Sequence, residues 1–443
     1  MTQENSKPSS FDGLGISNKL LNILDSKDFT IPTPIQHQCI PHALEGKDVV
    51  GIAQTGTGKT LAFGIPLIER LAQEKGQALI LVPTRELALQ AEESLMNIGL
   101  AIGLKTEVVI GGADSRKQIR GLRKNPHVVI ATPGRLIDHL DQGHYNLKLV
   151  NTIILDEADR MFDIGFLPDI KRILKDAPVN RQTLLFSATM PSAIAQIASQ
   201  FMKMPIRIEV SPAGTSAENV EQEVFILDKQ KKVQLLEKTL KDNQGTALVF
   251  SRTKHGAKKI NRFVQAMGHT SAEIHSNRSL AQRKEALAGF KSGKYRVLVA
   301  TDIAARGIDV VGIAMVINYD MPENNEDYVH RIGRTGRAGM EGKAISFATP
   351  DQRGNIKQIE RLIKKTVPIL NLPKLEPESD NLMRAIYMGD SRSSGNSGGY
   401  QGRNQGRNSG GNSGGGGFPR RNRNSRPGAF KRGASRSRSK AYS

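Results

Sequence analysis

The chain has 443 residues, enough for two or three domains, with 63 Lys and Arg against 43 Asp and Glu, a net charge of +20. Its single cysteine, Cys39, excludes a disulfide framework and a Cys-rich zinc site. A polar N-terminus and the lack of any long apolar run exclude a signal peptide and a membrane span, so a cytoplasmic protein with no membrane partner is expected. In chain order, a polar segment over 1–10 precedes a series of short Val/Ile/Leu-rich runs. These are predicted strands at 48–52, 78–82, 107–110, 127–130, 152–155, 183–186 and 206–210. Helical stretches between them point to a parallel α/β sheet. The composition of 211–219 marks a linker. The pattern restarts with runs at 223–227, 247–250, 271–274, 297–300, 315–318 and 343–347. The expected domains are therefore 11–210 and 220–367, followed by an extension over 368–390 and a tail over 391–443.

The tail holds ten Arg, two Lys and no acid, so +12 of the chain's +20 lies there. Its 13 Gly and many Ser and Asn cannot bury enough apolar surface to offset chain entropy, and disorder is expected. Tyr400, Phe418, Phe430 and Tyr442 stand among its Arg-Gly steps. That mixture suits sequence-tolerant RNA contact by charge and stacking; a protein-contact tail is the alternative.

The chemistry gathers where runs end. After the first comes Ala53-Gln54-Thr55-Gly56-Thr57-Gly58-Lys59-Thr60. Glycines let the backbone curl its N–H groups toward phosphate, Lys59 supplies charge, and the Thr60 hydroxyl can ligate Mg²⁺. The usual pattern begins with Gly where this chain has Ala53. Lys59 is expected on an exposed loop. After the fifth run, Asp156-Glu157-Ala158-Asp159 sets two carboxylates where a metal and a water would sit. Together these segments imply binding and hydrolysis of a nucleoside triphosphate. Other polar motifs follow neighbouring runs: Pro83-Thr84-Arg85, Gly111-Gly112, Thr132-Pro133-Gly134-Arg135 and Ser187-Ala188-Thr189. In open α/β sheets ligands bind beyond the carboxyl ends of strands, so these motifs describe one functional rim. The second half has no phosphate loop but carries Thr301-Asp302, Gly307, Asp309 and the segment Gly333-Arg334-Thr335-Gly336-Arg337. Arg334 and Arg337 could act as fingers on the γ-phosphate of a nucleotide held by the first domain.

From about residue 11 to 367 these motifs resemble the DEAD-box RNA helicases, ATPases of two RecA-like domains. The set includes Phe29 with Pro32-Thr33-Pro34-Ile35-Gln36, Phe250-Ser251-Arg252-Thr253 and His330 through Arg337. The compact core and basic Gly-rich tail look most like the bacterial RhlE-type branch. The resemblance implies an RNA-stimulated ATPase that unwinds short duplexes and remodels RNA–protein complexes, with ATP and Mg²⁺ as cofactors. It implies that Phe29 and Gln36 bind adenine and that the 53–60 loop holds the phosphates. It further implies that Thr60 and Asp156 hold Mg²⁺ and that Glu157 is the base. Asp159, Ser187, Thr189 and His330 would couple the domains; Gly307 and Asp309 would approach the nucleotide. RNA would lie on Pro83, Thr84, Arg85, Gly111, Gly112, Thr132, Arg135, Arg252, Thr301 and Asp302, and ribonucleoprotein partners on the tail. The chain departs from the family at Asp28, where Gly is frequent, and at Leu280, where many members carry Gln. An RNA-binding scaffold and a DNA translocase remain the rival readings.

Overall fold

The computed structural model describes residues 10–54, 56–210, 220–305, 310, 312–336, 341–377 and 380–387. The expected linker, the tail, Thr55, Gly307, Asp309 and Arg337 lie outside the described residues. Two sheets carry the chain. The first contains β1 (Val49–Ile52), β2 (Gln77–Leu81), β3 (Thr106–Val109), β4 (Val128–Ala131), β5 (Val150–Leu155), β6 (Gln182–Ser187) and β7 (Ile206–Glu209). The second contains β8 (Val220–Ile226), β9 (Ala247–Phe250), β10 (Ser271–Ile274), β11 (Val297–Ala300), β12 (Met315–Asn318), β13 (Gly342–Ala348) and β14 (Ile369–Leu370). Their orders are β3-β4-β2-β5-β6-β1-β7 and β10-β11-β9-β12-β13-β8-β14. Counted within its own sheet, each strand of the second occupies the place of its counterpart in the first. Every pairing is parallel.

The strands are short runs of β-branched and aliphatic residues because helices cover both faces. Side-chain alternation sorts them into two cores. Val49, Ala78, Ile80, Val128, Ile130, Ile154 and Leu184 join one apolar cluster of the first sheet. Their neighbours Val50, Leu79, Leu81, Val129, Ile153 and Leu185 join the other. The second sheet divides likewise, with Val249, Val299 and Ile317 opposite Leu248, Leu298 and Val316. The segment expected as an extension carries β14, which pairs with β8, and Leu372 and Leu375 pack on the second sheet's core. The helix Asp380–Tyr387 buries Leu382 beside Val233 and Phe263. Among the described residues no helix is long and apolar enough to cross a membrane.

Register decides where the chemistry sits. Across the first sheet, Val109 pairs with Ala131, Ala131 with Leu81, and Leu81 with Leu155, while Ile52 pairs with Ser187. The strand ends are level, so the segments that follow them share one rim. In the second sheet Ile274, Ala300, Phe250 and Asn318 are level in the same way.

Candidate nucleotide and RNA site

The phosphate loop runs from β1 into the helix Lys59–Gln73. Gly58 caps that helix at φ +88°, a left-handed conformation that a Cβ would strain, and an added Cβ would also strike the Gln36 amide. Gln36 holds the turn from outside: its Nε2 donates to the Gly58 carbonyl at 3.0 Å and its Oε1 accepts from Thr33 N at 2.9 Å. Thr57 closes the loop internally, its hydroxyl donating to the Gln54 carbonyl at 2.7 Å. Ala53 replaces the usual Gly without strain. Its N–H bonds the Ser187 carbonyl at 2.9 Å, and its carbonyl accepts from Lys59 Nζ at 3.0 Å.

β6 stands between β1 and β5, so Ser187 lies between the loop and the acidic motif. Its hydroxyl accepts from Asp159 N at 3.1 Å. Asp159 Oδ2 in turn accepts from Ala188 N, Thr189 N and the Thr189 hydroxyl at 2.9–3.1 Å. Four hydrogen bonds thus join the acidic motif to the Ser-Ala-Thr segment.

Lys59 is buried, contrary to the exposed position expected for it, because it pairs with Glu157 at 3.2 Å. Glu157 sits at φ +55° and also meets Arg160 Nε at 3.2 Å. Burial alone would raise the Glu157 carboxyl, but Arg160, Lys59 and Arg334 together hold it well below the usual range. Asp156, which accepts from Glu157 N at 3.0 Å, is pushed the other way, chiefly by burial. The two adjacent acids are split, one firmly ionised and one easily protonated. That is the arrangement from which separate roles arise.

The second sheet closes the cluster. Arg334 is buried, bonds the His330 carbonyl at 3.2 Å and acts on Glu157. His330 is held down to about 4 by burial and by Arg160, against the pull of Asp159 and Glu157. Both sit on or just beyond the helix Asn325–Ile332. Lys59, Glu157, Asp159, His330 and Arg334 are therefore brought together.

The expected RNA residues lie along the two rims. Thr84 caps the helix Arg85–Gly99, its hydroxyl accepting from Leu87 N at 3.3 Å, and Arg85 lies against Gly112. Gly112 has φ +74°, and any side chain there would displace the guanidinium. Thr132 caps the helix Pro133–Asp141, which carries Arg135. Arg252 is exposed beyond β9, and its N–H bonds Asp320 at 3.1 Å. The Asp302 carboxylate is already engaged, in a bidentate pair with Arg331 at 2.5 and 2.7 Å. Phe29 packs at the edge of the first core beside the loop-bracing turn. The sequence reading gave no role to Arg160, Arg331 or Gln118, nor to Arg283, whose guanidinium reaches Glu86 of the first domain at 2.6 Å with both side chains buried. All are buried polar groups. Arg160 meets Glu157 three residues back, whereas the partners of Arg331, Gln118 and Arg283 lie eight or more residues away, and no local pattern announces them.

This fold and site define a phosphate-loop nucleoside triphosphatase with two tandem RecA-like domains. Residues 33–197 match the DEAD/DEAH box helicase family and 231–339 the helicase conserved C-terminal domain. The chain belongs to the DEAD-box ATP-dependent RNA helicases, enzymes whose ATP hydrolysis is stimulated by RNA. It is 43 % identical over 379 residues to the DEAD-box ATP-dependent RNA helicase CshA of Bacillus cereus, covering 85 % of this chain and 72 % of that one. It is 44 % identical to the ATP-dependent RNA helicase CshA of Listeria monocytogenes, covering 82 % and 70 %. It superposes on Mss116p bound to ssRNA and AMP-PNP with a TM-score of 0.76, at 28 % identity over 87 % of this chain and 83 % of that one. For Saccharomyces cerevisiae Dbp5 bound to RNA and ADP BeF3 the TM-score is 0.73, at 30 % identity over 81 % and 96 %. These bacterial relatives carry the CshA name rather than that of the RhlE-type branch.

Proposed function

We propose that ATP on the 53–60 loop and single-stranded RNA across the two rims stabilise one closed arrangement of the domains, and that hydrolysis reopens it. Closure bends one strand so that a short duplex cannot stay paired. The observation that carries this reading is the charge cluster around Arg160, to which the first domain brings Lys59 and Glu157 and the second His330 and Arg334. A polyphosphate on the loop competes with Glu157 for Lys59. Once released, Glu157 orients the attacking water or takes its proton. Arg334, and Arg337 beyond the described residues, meet the charge that develops on the transferred phosphoryl group.

Phe29 stacks on adenine, and Gln36 senses its edge while bracing Gly58, which ties base recognition to loop geometry. Thr60 and Asp156 would hold Mg²⁺, which offsets phosphate charge. One hydroxyl and one carboxylate fit an ion that keeps waters and takes most ligands from its substrate. Gly307 and Asp309 approach the nucleotide from the second domain. Asp159, Ser187, Thr189 and His330 carry nucleotide state to the RNA face. That face consists of Pro83, Thr84, Arg85, Gly111, Gly112, Thr132, Arg135, Arg252, Thr301 and Asp302. The two domains divide at 211–219, the second taking in β14 beyond the expected end at 367, and the tail adds RNA or ribonucleoprotein contact.

The test is Lys59→Ala, assayed for ATPase at saturating RNA alongside thermal melting. Arg160 and Arg334 still neutralise Glu157 in that variant, so the fold is expected to survive while turnover is lost. Normal turnover would remove the phosphate site from the loop. Glu157→Gln is expected to slow hydrolysis by about a hundredfold or more and to dwell on RNA.

A further inference from the structure

The helix Ser115–Leu122 connects β3 to β4 at the edge of the first sheet. Its inner face buries Gln118 and Leu122. Gln118 fixes the helix to two segments of the rim. Its Nε2 donates to the Ile110 carbonyl at 2.9 Å, directly before Gly111-Gly112. Its Oε1 accepts from Arg135 Nε at 3.3 Å and meets His139 Nε2 at 3.1 Å. The helix is therefore tied to Arg135, read above as an RNA contact, and to the residue directly before Gly111-Gly112.

The outer face is cationic. Arg116, Lys117, Arg120, Arg123 and Lys124 are all exposed. Lys124 faces the Glu107 carboxylate. Among the described residues, Arg116, Lys117, Arg120 and Arg123 have no acidic partner within ion-pair distance. Asp114, the nearest acid in sequence, caps the helix by accepting from Arg116 N at 2.8 Å. Like charges three and four apart on a helix repel one another, and a polyanion laid along them relieves that repulsion. The exposed face offers no aromatic ring on which a base could stack, so its chemistry fits phosphates rather than bases.

We propose that this face is an accessory docking surface for the phosphate backbone of RNA, holding the strand beyond the segment gripped at the rim. The inference rests on the reading of Gly111-Gly112 and Arg135 as RNA contacts. It differs from the tail's contribution in being rigid, and so in acting only on RNA long enough to reach from the rim to the helix.

The experiment compares the full chain with R116Q/K117Q/R120Q/R123Q, measuring affinity for single strands of increasing length across a salt series. Glutamine keeps a straight chain and good helix propensity. If about three of the four cations meet phosphates, the slope of log K against log salt flattens by about 2 for long strands. Affinity for long strands at low salt drops by about tenfold or more, while the shortest strand that still stimulates ATPase binds as in the wild type. Melting temperature and RNA-free ATP affinity stay unchanged. R116K/R120K/R123K, which keeps the charge, binds as the wild type. Equal slopes and affinities at every length would overturn the proposal, whether or not the variant loses an acidic protein partner. Equal loss at every length would overturn it too, by assigning these cations to the rim. Arg135→Ala serves as the reference. If it leaves RNA binding intact at all lengths, the rim reading fails instead.

Discussion

Asp28 stands at φ +60°, immediately before Phe29. A left-handed residue costs roughly 1–2 kcal/mol for most side chains, less for Asp and nothing for Gly, which explains why Gly is frequent there in the family. Asp28→Gly should therefore stay within about 0.5 kcal/mol of the wild type, strain relief being offset by the entropy of the freer chain. Asp28→Val should cost about 1–2 kcal/mol. Denaturant unfolding measures both, and a valine without cost would mean that this turn is not left-handed in solution. His330 gives a second test, in pH. Its pKa is held near 4, below its ordinary 6.5, first by burial and then by Arg160. A base depressed on folding contributes stability that is full above about 6.5 and is lost as pH falls toward about 4. Because Arg160, the strongest charge against it, belongs to the other domain, closure is what weakens. The affinity that ATP adds to RNA binding is expected to decline over that window and to flatten in His330→Gln. Parallel profiles would mean that His330 does not titrate at the interface.

At the level of elements, the helix Leu280–Lys291 is the second domain's contact with the helix Arg85–Gly99. Arg283 pairs with buried Glu86, and Leu280, one turn earlier on the same face, packs against the apolar cluster of the first domain. Where many members carry an amide, this chain therefore has apolar cover beside the ion pair. Removing one partner of a buried pair costs about 3–5 kcal/mol, and here the cost falls only on the closed arrangement. Arg283→Ala should lower the coupling between ATP and RNA by about tenfold or more while ATP still binds the first domain. Leu280→Gln should do so more weakly. Unchanged coupling in Arg283→Ala would show that closure does not use this pair. This contact also marks the limit of what the sequence reveals. Thirteen strands were legible because fully buried parallel strands are written as aliphatic runs, and the loop and acidic motifs were legible because their chemistry is local. β14 was missed because two residues after Pro368 make no run. The Glu86–Arg283 pair, the Arg331–Asp302 pair and the Gln118 network join residues far apart in the chain, and no local pattern announces them.

At the level of the whole molecule, one strand order is used twice, but only the first copy carries a phosphate loop. The second copy's rim supplies arginines instead, so in the proposed scheme a nucleotide between them is chemically complete only when both rims meet. If RNA lies along both rims, as proposed, it shares that requirement, and ATP and RNA binding should reinforce each other. The tail adds a term of another kind. Residues 391–443 contribute twelve cations and no anions. If they bind RNA, as proposed, their contribution to affinity should be counterion release, without a part in the transition state. If about five cations reach phosphates, deleting 391–443 should flatten the slope of log K against log salt by about 3.5 for single-stranded RNA. The ATPase kcat at saturating RNA should stay within about a factor of three, because a uniform binding term lowers KM without touching kcat. The deletion should act on strands of every length that the tail can reach, whereas the rigid helix Ser115–Leu122 acts only on longer ones. The measurement is RNA affinity of the full and truncated chains over the same salt series. Coincident lines would assign the tail to protein contact and leave the basic helix to account for the chain's affinity beyond the rim.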